Sequence, residues 1–199
     1  MTHAEAAPLS KSALRAGALA RRAALTSEQR AAANAAIATR MKAVLAVLKP
    51  RVIAGYVPIR SECDPAAILE RARASGIAIA LPAVVDRKSI AFRLHEAGEP
   101  LAPSGFGTMA PGADAPPADP DLILVPLVGF DRRGHRLGYG RGYYDRAIAV
   151  ARANGRRVPL VGLAFSVQEV EAIPAEPHDV RLDWVVTEKE TLELRSKLA

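Results

Sequence analysis

Residues 51–81 read RVIAGYVPIRSECDPAAILERARASGIAIAL. Arg51 to Val57 follows Pro50 and is a largely apolar run of strand length. Asp64-Pro65 supplies an N-cap and a first helical position, so a helix is expected to about Ala74. Gly76 ends it, and Ile77 to Leu81 is a second apolar run. Strand, helix, strand is the βαβ pattern, whose crossover makes the two strands parallel.

The same alternation extends outward. Upstream, Ser10 caps a first helix running to about Leu25, and Thr26-Ser-Glu-Gln29 is a capping box for a second, to about Leu48. On the first helix Lys11, Arg15 and Arg22 share a basic face, either a solvated surface or a clamp for phosphates, beside an apolar stripe of Leu14, Ala18 and Leu25. Downstream, Ile90 to Leu94 alternates and reads as a strand. Gly98 to Pro120 is rich in Pro, Gly, Ala and Asp and reads as a long surface connection. Strands are expected at Leu122–Val125, Val158–Leu163 and Asp183–Val186, with a helix from about Gly142 to Asn154. Thr187-x-x-Glu190 has the spacing of a cap for a last helix. These elements make an α/β fold: one three-layer α/β/α domain over residues 1–199 with a mainly parallel sheet.

The 199 residues carry a formal net charge of +6, which favours anionic partners. Cys63 is the single cysteine, so no disulfide framework is present, and it reads as a small, partly buried residue. No apolar run approaches the roughly 20 residues of a membrane span. The first residues lack a basic-then-apolar leader pattern, and a cytoplasmic location is expected.

Phe130 to Arg146, FDRRGHRLGYGRGYYDR, concentrates the candidate chemistry. Four of the nine aromatics (one Trp, four Tyr, four Phe) fall here. An apolar strand precedes it and a helix follows, the order in which backbone N–H groups are aimed at a phosphate. Gly138-Tyr-Gly-Arg-Gly142 is neither a Walker A motif nor the dinucleotide fingerprint. Its context still points to anion binding: Arg136 and Arg141 offer forked cations, and the helix N-terminus adds partial positive charge. Asp145, in the first helical turn, suits either the helix dipole or a magnesium ion beside phosphates. Tyr143 and Tyr144 point to different sides of that helix, so one packs on the sheet and the other faces the loop. Glu62 follows a strand end, where ligands of α/β sheets gather. It is either a solvated carboxylate or a partner for a heterocycle's N–H groups.

Together these segments resemble the 5-formyltetrahydrofolate cyclo-ligase family, over most of the chain. FDRRGHRLGYGRGYYDR is similar to the family block F-D-x-x-G-x-R-L-G-x-G-x-G-Y-Y-D-R. Lys11-Ser-Ala-Leu-Arg15, Glu62-Cys-Asp64 and His178-Asp179 followed by Leu182-Asp183 match its shorter motifs. The resemblance implies a ribose-5-phosphate isomerase-like sheet and a monomeric enzyme. It implies cyclisation of 5-formyltetrahydrofolate to 5,10-methenyltetrahydrofolate with ATP as co-substrate and Mg2+ as metal. By that resemblance Lys11, Arg15 and the loop Arg136, Leu137, Gly138, Tyr139, Gly140, Arg141, Gly142, Tyr143 and Tyr144 would bind ATP. Arg136, Arg141 and Tyr143 would serve catalysis, and Asp145 and Asp179 the metal. Val57, Glu62 and Tyr139 to Tyr143 would meet the folate. The chain departs from the family pattern at Arg141, where lysine or glycine is common, and in Gly105–Pro111, which lacks a glutamate. A nucleotide- or folate-binding module without turnover is the alternative. Nucleic acid is not an expected partner, because no RNA-binding aromatic motif accompanies the basic residues.

Overall fold

The computed structural model describes residues 9–105, 107–176 and 179–194. Two helices open the chain: α1 (Lys11–Ala23) and α2 (Ser27–Leu48). The βαβ unit follows as β1 (Val52–Ala54), α3 (Ala66–Ala74) and β2 (Ala78–Val84). β3 (Ile90–Leu94) turns back on β2. Short strands β4 (Ala102–Pro103) and β5 (Met109–Ala110) pair with each other. Next come β6 (Leu122–Pro126), a small hairpin of β7 (Gly129–Phe130) and β8 (Arg136–Leu137), and α4 (Tyr143–Ala151). β9 (Leu160–Leu163), β10 (Trp184–Val186) and β11 (Thr191–Glu193) complete the order.

Seven strands form the central sheet, in the order β11-β10-β9-β6-β1-β2-β3. The inner pairings are parallel, and both edge strands are antiparallel. Side chains alternate across it as the pleat requires. Ile53, Leu122 and Leu124 join Ile37, Met41 and Ile68 from α2 and α3 on one face. Ala54, Ile123 and Val125 join Ala147, Ile148 and Ala151 of α4 on the other. The chain runs from β1 to β2 in one direction and from β6 to β9 in the opposite one, so the sheet's switch point lies between β1 and β6. Clefts for ligands form at the carboxyl ends of strands beside such a point.

Capping explains the helix starts. Ser10 accepts the Ala13 N–H, and the reciprocal bonds of Thr26 and Gln29 form the expected capping box. Asp64 accepts the Ala66 N–H at 2.9 Å, and Pro65 stands just before the helix. α2, at 22 residues, is long and apolar enough to cross a membrane by composition alone, where the sequence showed no such run. It is alanine-rich, and Ile37, Met41 and Val44 are packed into the core.

Several boundaries move. α1 stops at Ala23, because Thr26 already caps the next helix. β1 ends at Ala54; one more sheet bond, Gly55 N–H to Ala80 O, precedes its departure toward Pro58. A Cβ on Gly55 would lie 2.5 Å from Leu69, so glycine lets α3 close onto the strand. α4 is shorter than expected and gives way to a 3-10 turn at Ala153–Gly155. The 98–120 connection contains the β4–β5 ribbon, and Arg93 holds its far end through the Ala113 and Ala115 carbonyls.

The expected last helix is a strand. Thr187 Oγ1 accepts the N–H groups of Lys189 and Glu190, and Thr187 N–H donates to the Glu190 carbonyl. The Thr-x-x-Glu spacing therefore closes a tight turn that reverses the chain, and Thr191–Glu193 returns along β10.

Candidate active site

A cavity of about 960 Å³ opens at the carboxyl ends of β1, β2 and β6. Tyr56 and Val57 enter it after β1, Pro82 and Val84 from β2, and Pro126 from β6. α1 contributes Lys11 and Arg15, and the loop from β8 into α4 contributes Arg136 to Asp145. Val57, Glu62 and Asp179 line it as well, so all the site residues expected from the sequence meet in one place. His178 lies outside the described residues.

The glycine loop owes its shape to backbone conformation. Gly140 and Gly142 have φ of 88° and 65°, the left-handed region that side chains rarely adopt. A Cβ on Gly142 would also sit 2.9 Å from the Arg146 guanidinium. Gly142 precedes α4 and provides no side-chain cap, and the loop and first turn line the cavity. Arg15 fixes the other end of the loop by donating from Nε to the Gly138 carbonyl at 2.7 Å.

The cations and carboxylates are paired across the cavity wall. Lys11 Nζ lies 2.8 Å from Asp179 and 3.0 Å from Glu176. Burial lowers the Lys11 pKa, but the bonds to Asp179 and Glu176 outweigh it and hold the pKa above 10.5. Arg136 donates to the Val180 carbonyl and, at 2.6 Å, to Asp145. Among the described residues no three His, Cys, Asp or Glu side chains cluster as a metal cage.

Glu62 is buried at 7% exposure, which removes the solvated-loop alternative. Burial pushes its carboxyl above 4.5, against the Ile59 N–H, Arg22, Tyr139 and Arg60, which favour the charged form. Tyr144 packs on the sheet core and burial pushes its phenol up, whereas Tyr143 donates to the Arg87 carbonyl from the cavity side. Both tyrosines line the cavity, Tyr144 from the sheet core and Tyr143 with its hydroxyl on the turn between β2 and β3. Cys63 is buried and its thiol is pushed up by burial, then by Asp64, in keeping with a structural residue.

Other contacts were not visible in the sequence. The turn between β2 and β3 clasps α4, through the Arg87 and Lys88 carbonyls held by Tyr143 and Arg146. Thr108 and Met109 reach the cavity from the long connection. Asp131, fully buried, takes N–H bonds from Arg133, His135 and Ile173 and braces the β7–β8 hairpin. Arg22 is not on a wet face but buried, a role signalled only by its place beside the Ala18 stripe.

Residues 8–188 match the model of the 5-formyltetrahydrofolate cyclo-ligase family. The chain belongs to that family. Relatives named 5-formyltetrahydrofolate cyclo-ligase include one from Mycolicibacterium smegmatis, 33% identical over 70% of this chain and 74% of its own. Another, from Escherichia coli K12, is 30% identical over 84% and 94%. The solved 5,10-methenyltetrahydrofolate synthetase of Aquifex aeolicus superimposes with a TM-score of 0.80 at 32% identity, covering 95% of each chain. That of Mycoplasma pneumoniae gives 0.74 at 28%, covering 90% of this chain and 99% of its own. The cyclo-ligase family fold is thus a mixed α/β layer structure on a mainly parallel sheet. Membership makes the chain a ligase of folate one-carbon metabolism, acting on 5-formyltetrahydrofolate.

Proposed function

We propose that this cyclo-ligase uses ATP, with magnesium, to close 5-formyltetrahydrofolate to 5,10-methenyltetrahydrofolate, releasing ADP and phosphate. One observation carries the reading: Lys11, Arg15, Arg136 and the glycine loop share a single cavity with Val57 and Glu62. A polyanion and a heterocycle are thereby offered adjoining places.

The γ-phosphoryl group passes to the formyl oxygen. N10 of the folate then attacks the activated formyl carbon and loses its proton, and the carbon–oxygen bond breaks with phosphate as leaving group. Phosphoryl transfer depends on positioning and charge neutralisation, so no protein nucleophile is required. Lys11 and Arg15 hold the phosphates, and Arg136 to Tyr144 wrap the nucleotide. Arg136, Arg141 and Tyr143 stand where negative charge develops during transfer. Val57 and Glu62 meet the pterin, with Tyr139, Gly140, Arg141, Gly142 and Tyr143 along its border.

Asp145 and Asp179 are the residues that would hold magnesium. Both line the cavity, and magnesium usually takes one or two carboxylates with substrate phosphates and water, which suits a site without a full protein cage. When bound, the ion supplies charge neutralisation on the phosphates. Residues 1–199 are read as one domain, because both core layers pack on one sheet, and as ribose-5-phosphate isomerase-like by the family resemblance alone. Action as a monomer is part of the same reading. A cytoplasmic place suits a folate enzyme of this kind.

The test is ADP release by the whole chain, with and without the formyl substrate. Release that depends on that substrate is expected; release indifferent to it would contradict the coupling.

A further inference from the structure

Arg22 is the most deeply buried lysine or arginine among the described residues, at 1% exposure. A guanidinium placed in a protein interior is costly unless its donors are satisfied. Here they reach three separate segments. Nε donates to Ser61 Oγ at 3.2 Å, one Nη to the Leu127 carbonyl at 3.3 Å, and the other Nη to the Tyr139 hydroxyl at 2.8 Å. Ser61 adjoins Glu62, Leu127 follows β6, and Tyr139 stands within the glycine loop.

Arginine has donors and no acceptor, so the Tyr139 oxygen must accept from it. The phenol keeps its own proton to donate elsewhere. The neighbouring acceptor is the buried Glu62 carboxylate, whose charged form Arg22 and the Tyr139 hydroxyl both favour. Arg60, with its guanidinium 5.5 Å from the centre of the Tyr139 ring, supports the ring from another side. The cavity is lined by Arg60, Glu62 and Tyr139, while Arg22 lies behind them.

We propose that Arg22 is a positioning residue for the folate end of the site: it fixes the Tyr139 hydroxyl so that Tyr139 and Glu62 meet the substrate as one polar unit. This rests on the reading of Glu62 and Tyr139 as folate contacts. Arg22 touches neither substrate and acts through Tyr139. The ATP side of the loop is held instead by Arg15 at the Gly138 carbonyl.

A double-mutant cycle on the full chain tests it, with Arg22→Met, Tyr139→Phe and the pair. KM is measured for 5-formyltetrahydrofolate and for ATP, alongside the melting temperature. Each single change is expected to raise the folate KM about tenfold, the effect of losing a charge-assisted hydrogen bond. The ATP KM of Arg22→Met should stay within about twofold, and the folate KM of the pair should be no worse than the poorer single by more than about twofold. Folate effects that multiply in the pair, or folate and ATP constants that rise together in Arg22→Met, would overturn the inference and leave Arg22 a structural brace. If Arg22→Met does not fold, Arg22→Lys takes its place, since lysine keeps the charge without the fork. Arg22→Lys with the folate KM of Tyr139→Phe supports the proposal, and Arg22→Lys with the wild-type KM overturns it. Glu62→Gln separates the two levels. An inert Glu62→Gln defeats the folate-site reading itself, while an impaired Glu62→Gln beside an additive Arg22 and Tyr139 defeats this inference alone.

Discussion

The Arg136 guanidinium donates to the Asp145 carboxylate at 2.6 Å, and the Arg136 side chain is only 7% exposed. A cation proposed for phosphate and a carboxylate proposed for metal thus neutralise each other. Lys11 and Asp179 repeat the arrangement at 2.8 Å. Both pairs sit on the wall of the cavity, so a magnesium-bound polyphosphate would offer each member a new partner of the right sign.

Asp145→Ala is therefore expected to lower turnover by about two orders of magnitude or more, the scale of lost transition-state charge stabilisation. Half-saturation should move to higher magnesium. The fold should survive, because Arg136 keeps its bond to the Val180 carbonyl. Unchanged turnover and magnesium dependence would remove Asp145 from the metal site.

Arg141→Ala is expected to weaken ATP more than folate, raising the ATP KM about tenfold on loss of a charge-assisted contact. Steady-state kinetics with each substrate varied in turn decides this. A rise in the folate KM alone would reassign the middle of the glycine loop.

Glu62 yields a pH prediction. Burial raises its carboxyl above 4.5, so on lowering the pH it takes up a proton sooner than an exposed glutamate. If the charged form binds the pterin, kcat/KM for folate falls on the acid side with a midpoint above 4.5. Glu62→Gln should lower kcat/KM throughout and abolish that limb. A limb that persists in Glu62→Gln belongs to another group.

Asp131 should govern stability rather than turnover. Burial works to raise its pKa, but bonds from Ile173, His135 and Arg133 outweigh it and hold the carboxyl below 3.8. The stabilisation is complete above the unfolded-state pKa and is lost as pH falls through the folded one. Asp131→Asn is expected to cost about 3 kcal/mol at neutral pH, the scale for breaking a buried charged network. Urea unfolding of both proteins between neutral and acid pH measures this; the gap should narrow below 3.8.

The sequence made the parallel sheet legible because residues 51–81 carry it locally: two apolar runs and a capped helix between them. The glycine loop was equally plain, as Gly140 and Gly142 announce backbone that few other residues adopt. What stayed hidden depends on distant segments. Thr187 and Glu190 suit a helix cap and a tight turn equally well, and the pairing of β11 with β10 decided between them. Arg22 resembled a surface residue until the partners at Ser61, Leu127 and Tyr139 were in place. Glu62 was open between a solvated loop carboxylate and a ligand contact, and its burial follows from the segments folded around it.

The central claim is that one cavity couples ATP to folate ring closure. Incubating the full chain with 5-formyltetrahydrofolate, ATP and magnesium, while following the methenyl absorbance and ADP together, tests it most directly. The account predicts methenyl product and ADP in equal amounts, with neither formed when magnesium or the folate is withheld. Binding of both ligands with no methenyl signal would contradict it and leave the chain a folate- and nucleotide-binding module.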